Sequence, residues 1–340
     1  MTINAAAMDI NQIQQQLFQI IKNKIPADLS VADEVGKLLN ISSDSAYRRM
    51  RSEKQITFEE AYILANHFKI SLDQLMSISA GGILFQGNIV NDKNYGFEQY
   101  LTGILHTMAY FNSFKNKELY YSCKDMPLFH HFYVREFAAF KWFFWLKTYL
   151  HFPGFDKRKF KFSDFPDELF PLEQQVLGMY NQLDSREIWN IESMSIFFRQ
   201  IEFYREADMF ESDEDILRVY EALEKVWDHL EKQAALGYKF KMDDPERKRL
   251  GEYKMYFNEV LLGDNSILAV TDNTKMAFMT HTTFNFMLTR DVAFTENMYN
   301  HMLTQMKRST LISEVSEKER SRFFRIIRER IQKRKEALAV

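Results

Sequence analysis

Within its first 78 residues the chain restarts a helix five times, and this spacing restricts the fold more than any other feature. Ile13, Leu17, Ile20, Ile21 and Ile25 form one apolar stripe at helical spacing, which Pro26 ends. A second helix is predicted after Ser30, with Val31, Val35, Leu38 and Leu39 inward. Asn40-Ile41-Ser42 makes a tight polar turn, and a third short helix runs from Ser43 to about Glu53. Thr57 and Glu60 read as a capping box for a fourth helix, with Phe58, Ala61, Ala65 and Phe68 on one side. Ser71 opens a fifth, carrying Leu72, Leu75 and Met76. Helices this short, joined by turns this tight, can bury their stripes only against one another, as a small bundle.

The rest of the chain is too long to belong to that bundle. At 340 residues, about two domains are expected. Gly (11) and Pro (6) are scarce, which argues against turn-rich all-β and collagen-like folds and favours helix. An apolar share of 46%, with 31 Phe and 16 Tyr, supplies a large core and excludes bulk disorder. The single Cys allows no internal disulfide. Together with an amino terminus, MTINAAAMDI, that lacks a basic and then apolar leader, it predicts a cytoplasmic protein. No uncharged apolar run reaches the roughly 18 residues of a membrane span, since FAAFKWFFWLKTYL is broken by Lys141 and Lys147, so no membrane partner is expected.

The formal charge of −3 conceals a segregation. Residues 1–78 hold 8 basic and 9 acidic side chains, residues 79–306 hold 25 and 33, and residues 307–340 hold 11 and 5, local charges of −1, −8 and +6. In the tail, KERSRFFRIIRERIQKRKEAL combines apolar helical spacing with this charge. Ser316 and Glu319 read as a capping box for a helix over 316–338, packed on the body with its basic face outward. Such a face could add phosphate contacts.

In the head the positive charge is gathered on one element. With Ala46 set inward and a step of about 100° per residue, Met50 also points inward. Asp44, Tyr47, Arg48, Arg51 and Ser52 point outward, and Arg49 falls on the flank. A helix, a short turn and a second short helix with an outward face of this kind is the helix-turn-helix arrangement. Arg can clamp guanine O6 and N7, Ser and Asp can bond base edges, and Lys54 can reach a phosphate. The predicted DNA-contacting set is Ser43, Asp44, Ser45, Tyr47, Arg48, Arg49, Arg51 and Lys54. Residues 29–76, LSVADEVGKLLNISSDSAYRRMRSEKQITFEEAYILANHFKISLDQLM, resemble the lambda-repressor and Cro-like (XRE-type) DNA-binding domain. The likeness runs from the helix pair to a closing segment seen here as Leu64-Ala65, Phe68, Ile70-Ser71, Asp73 and Leu75. Asn40 stands where many relatives have Gly.

The expected organisation is a helix-turn-helix domain over 1–78, a linker over 79–96 that contains the Gly81-Gly82 pair, and a dimerisation or regulatory domain over 97–340. Helices are predicted over 97–114, 129–149, 171–182, 187–206, 214–236 and 295–308, with 137–146 apolar all round and therefore central. Strands are predicted over 118–123, 238–242, 266–270 and 275–279, the last two as a hairpin. The fold class is thus mainly α: a five-helix bundle like that of the lambda repressor, then a larger, mostly helical α+β domain with a small sheet. The order of helix, GYKFKM strand, hairpin and closing helix also resembles phospholipase-D-like domains, but their His-x-Lys-x4-Asp motif is absent.

No zincin, phosphate-loop, nucleophile-elbow or paired-Cys motif occurs, so no catalytic residue, metal or cofactor is assigned. His130-His131 reads as one packed and one exposed ring. Cys123 reads as a small core residue before it reads as a redox sensor. Glu259 and Asp264 are weak ligand candidates, and the aromatics from Phe140 to Trp145 with Trp189 and Trp227 form either core or an apolar effector pocket. The resemblance implies a bacterial transcriptional regulator that binds double-stranded DNA as a homodimer and responds to a small-molecule or protein effector. The alternatives are an interaction adaptor that keeps the bundle and an intracellular enzyme without a local motif.

Overall fold

The computed structural model describes residues 9–26, 29–76, 82–87, 96–260, 263, 265–272, 274–282 and 285–338. The chain divides into two units, Met1–Leu84 and Phe85–Val340. Among the described residues helix of all kinds accounts for 57%, with twelve α-helices, beside one mixed sheet of seven strands.

The first unit contains α1 (Ile10–Lys22), α2 (Val31–Leu39), α3 (Ser43–Met50), α4 (Phe58–Phe68) and the single turn α5 (Leu72–Leu75). Each longer helix starts on a side-chain cap: Asp9, Ser30, Ser42 and Thr57 accept from backbone N–H groups, and Thr57 with Glu60 forms the expected capping box. The core is Leu17, Phe18, Ile21, Ala32, Val35, Ala46, Leu64 and Leu75, with Ile13, Ile20 and Ile25 packed at its edge. Phe58 departs from expectation. It is the first residue of α4 and 84% exposed, because Ala61, Leu64 and Ala65 form the buried face instead.

The second unit contains α6 (Phe97–Asn112), β1 (Lys117–Cys123), a 3-10 segment (Leu128–Tyr133), α7 (Arg135–Phe144) continued by a π-helical turn (Trp145–Tyr149), α8 (Leu169–Asn181) and β2 (Asp184–Trp189). It continues through α9 (Ser195–Glu206), α10 (Asp213–Leu236), β3 (Tyr253–Phe257), β4 (Ser266–Thr271), β5 (Lys275–Thr282), β6 (Asn285–Thr289), α11 (Val292–Lys307), β7 (Thr310–Leu311) and α12 (Glu317–Glu336). The strand order is β6-β5-β4-β1-β2-β3-β7. β1, β2 and β3 are parallel and the other pairings antiparallel. Parallel neighbours need crossovers, supplied by α7 and α8 and then by α9 and α10. Alternation sorts the faces: Leu119, Tyr121 and Cys123 enter the main helical core, while Tyr120, Ile188 and Leu268 meet Met298, Met302 and Met306 of α11.

Several expectations are corrected here. The stretch 85–87 is no free linker, since Gln86 exchanges both backbone hydrogen bonds with Leu288; most of the remainder of 79–96 lies outside the described residues. Residues 187–189 are strand rather than helix, and 128–133 form a 3-10 segment ahead of α7. Residues 238–242 form no strand. Tyr238 makes an isolated bridge to Glu252, and the Lys239 side chain turns inward, donating to the carbonyls of Tyr180 and Leu183 at the end of α8. Ser316 makes no cap bond. Pairing of β7 with β3 holds the preceding segment, and the chain enters α12 through two left-handed residues, Glu314 and Ser316. The basic charge of α12 is used in part within the unit: Arg328 pairs with Asp228 and Glu231, Lys335 with Glu224, Arg334 with Glu202 and Arg330 with Glu192, while Lys318, Arg322, Arg325 and Lys333 are exposed. These pairs join the acidic body to the basic tail.

Candidate nucleic-acid interface

The geometry of α2 and α3 is set by a close approach at the turn. A Cβ on Gly36 would lie 3.0 Å from the Ile41 carbonyl oxygen, and Ile41 donates its N–H back to the Gly36 carbonyl at 3.0 Å. Asn40 takes the left-handed conformation, φ 54°, that ends α2. The hydroxyls of Ser43 and Ser30 hold the Asp33 carboxyl below the usual carboxylate range, so an ionised Asp33 ties the start of α2 to the start of α3.

On α3, Ala46 is fully buried and Met50 half-buried. Ser43, Asp44, Tyr47, Arg48 and Arg51 are exposed, as is Lys54 beyond the helix, while Ser45 is half-buried beside the Ser42 cap. Six of the eight expected contact residues are therefore exposed; Ser45 is not, and Arg49 departs furthest. Arg49 is 3% exposed. Its guanidinium grips both carboxylate oxygens of Glu60, at 2.7 and 3.0 Å, and donates to the Ser45 carbonyl. That hydrogen bond is the main reason the Glu60 carboxyl lies below its ordinary range. Gln14 of α1, also buried, completes the knot by donating to the carbonyls of Arg49 and Lys54 and accepting from Ile56 N–H. Arg49 fastens α3 to α1 and α4 and is withdrawn from the DNA-contacting set. At about −60° from Ala46 it lies almost as far inward as Met50, and the Glu60 that receives it is also the capping-box residue.

Arg49→Ala should therefore destabilise the first unit by about 2–3 kcal/mol, because it leaves a half-buried carboxylate and a carbonyl short of donors. Amide exchange in α1, α3 and α4 reads this directly. Unchanged protection would show that Arg49 is not the fastener.

What remains outward is an eight-residue helix, about 12 Å long, bearing two guanidiniums, a phenol, a carboxylate and hydroxyls. A DNA major groove is about 12 Å wide and admits one helix. Arg48 and Arg51 both lie near Glu53, at 4.0 and 2.9 Å, in exposed pairs that solvent screens and a stronger acceptor can displace.

The second unit holds a polar centre that the sequence did not announce. Glu187 of β2 is completely buried and accepts from His130 Nε2 at 3.0 Å, Trp189 Nε1 at 2.8 Å, Tyr253 Oη at 3.1 Å and Tyr180 Oη. Burial pushes its carboxyl up, but His130, Lys239 and the Tyr180 hydroxyl outweigh that and hold it at about 2. Burial brings Lys239 down to about 7, against the pull of Glu187 and Asp184. His130 and His131 are both buried, against the expectation of one exposed ring. Cys123 is buried, and burial pushes its thiol well up, which disqualifies it as a sensor. Glu259 is exposed and paired with Arg322, and Asp264 lies outside the described residues. Trp189 and Trp227 pack against each other, 6.0 Å between ring centroids, as core. Among the described residues no group of three His, Cys, Asp or Glu is placed to hold a metal, and no helix is long and apolar enough to cross a membrane.

No protein family, no curated protein and no solved structure matches this chain.

Proposed function

We propose that this protein is a sequence-specific DNA-binding transcriptional regulator. In this reading its first unit is a five-helix bundle of the lambda-repressor and Cro-like type, α3 is the recognition helix, and the second unit joins two copies and carries effector response. The observation that carries the reading is the division of labour on α3. Its inward residues, Arg49 included, are locked to α1 and α4, while Tyr47, Arg48 and Arg51 are left outward beside Lys54. A helix held in place with exposed Arg ends is suited to enter a groove in one register and read base edges there. Since α12 spends much of its charge within the second unit, the reading rests on α3 and Lys54 and not on the tail.

Selection of bound duplexes from a random pool tests this. The expected product is a two-fold pair of half-sites with centres about 10 base pairs apart or a multiple of that. Failure to enrich any duplex at low salt would end the proposal.

A protein-interaction adaptor is the second reading, and α4 favours it. Phe58 and Tyr62, one helical turn apart, are 84% and 62% exposed. An adaptor would lose its partner on Phe58→Ala, whereas duplex binding through α3 would persist in that variant.

A further inference from the structure

Buried polar groups almost always find partners, so each one that does not calls for an explanation. In the second unit His131 is 3% exposed and neither of its ring nitrogens has a hydrogen-bond partner among the described residues. Lys141 is 1% exposed, and among the described residues its ammonium donates only to Gln200 Oε1, at 2.9 Å. Asp125 acts on that ammonium from outside contact distance. The two basic side chains share aromatic walls. The Trp145 ring lies 5.5 Å from the His131 ring and 5.0 Å from Lys141 Nζ, and the Phe197 ring lies 5.5 Å from the same Nζ.

Two features of the backbone point to the same place. Asp125 lies two residues beyond β1, at the carboxyl end of the parallel strands, the end at which open α/β sheets hold their ligands. Beside it α7 widens into the π-helical turn Trp145–Tyr149, a departure that concentrates at functional sites. Tyr149, at the end of that turn, is exposed, and Lys141 is bonded to Gln200 of α9.

We propose that His131, Lys141 and the Trp145–Tyr149 turn form a binding site for a small organic carboxylate. A carboxylate brings the negative charge that Lys141 lacks at contact distance. Its oxygens can accept the unused N–H bonds of Lys141 and one from His131. The Trp145 and Phe197 rings suit a short hydrocarbon body. Asp125, already nearby, makes a monoanion a better fit than a phosphate dianion. Burial pushes both Lys141 and His131 toward their neutral forms, a tendency that a bound anion reverses. The site lies wholly within the second unit and stands whether or not the first unit binds DNA.

Thermal unfolding and tryptophan fluorescence of the full chain test it, with sodium acetate, propionate and benzoate compared with chloride and phosphate at matched pH and ionic strength. The expected result is a saturable rise in unfolding temperature with at least one carboxylate, accompanied by a fluorescence change, and none with chloride or phosphate. Lys141→Met should raise the half-saturating concentration by about tenfold or more. His131→Phe, which preserves the ring packing, should weaken binding in the same direction and carries the comparison if Lys141→Met does not fold. Carboxylates indistinguishable from chloride, a stronger response to phosphate, or wild-type binding by the folded variants would overturn the proposal.

Discussion

Glu187→Ala is expected to destabilise the second unit by about 3–5 kcal/mol, the range for removing one member of a buried charged network. The loss is large because four donors converge on this one carboxylate. Without it His130, Trp189 and Tyr253 each lose the partner of a buried polar atom, and Tyr180 keeps only a 3.5 Å contact with Ser185 Oγ. Glu187→Gln keeps the volume and one acceptor oxygen, so it should cost less. All four tryptophans lie between positions 142 and 227, so their fluorescence in a urea titration reports this unit alone. The pH dependence is fixed by sign. A carboxyl held at about 2 in the fold, against its ordinary 4.5, contributes fully above 4.5 and loses its contribution as pH falls toward 2. The gap between wild type and Glu187→Ala should therefore narrow across that window. A gap under about 1 kcal/mol at neutral pH would mean that the network does not hold the core.

Glu173→Leu is expected to have the opposite sign. Glu173 of α8 is completely buried and neither carboxylate oxygen has a partner among the described residues, so burial pushes its carboxyl up to about 9, with Arg135 opposing only in part. A folded-state pKa raised above 4.5 means that the native state favours the protonated form. Stability is then lost as pH rises from 4.5 through 9. At pH 7 the loss is about 3 kcal/mol, and an apolar residue of similar size should recover much of it. Urea midpoints at pH 5 and pH 8 check this. The advantage of Glu173→Leu should grow between them, and a constant difference would contradict the assignment.

The sequence showed the helices of the first unit clearly because every start carries its own cap and the apolar stripes are regular. It showed the hairpin of β4 and β5 and the central position of α7 for the same reason. It hid β2, because the inward residues of that strand are Ser185, Glu187 and Trp189, so no apolar alternation appears. It suggested a strand at 238–242 because Lys239 looks like an outward residue, whereas its ammonium is used inside to satisfy the end of α8. Arg49 reads as a DNA contact for a related reason. A charged residue on a short basic helix reads as solvent-facing until its partner is known, and Glu60 is eleven residues away on another helix. In each case the missing information is long-range pairing, which local spacing does not encode. The outward face of α3 was legible because it depends on helix geometry alone.

That face is the central claim, and titrating the selected duplex across salt concentrations tests it most directly. The account predicts that log affinity falls linearly with log salt, that Arg48→Ala with Arg51→Ala weakens the selected duplex by about tenfold or more, and that Lys54→Ala lowers the salt slope by about one. Wild-type protein that binds no duplex at low salt, or a double variant that binds as tightly as wild type, would contradict it.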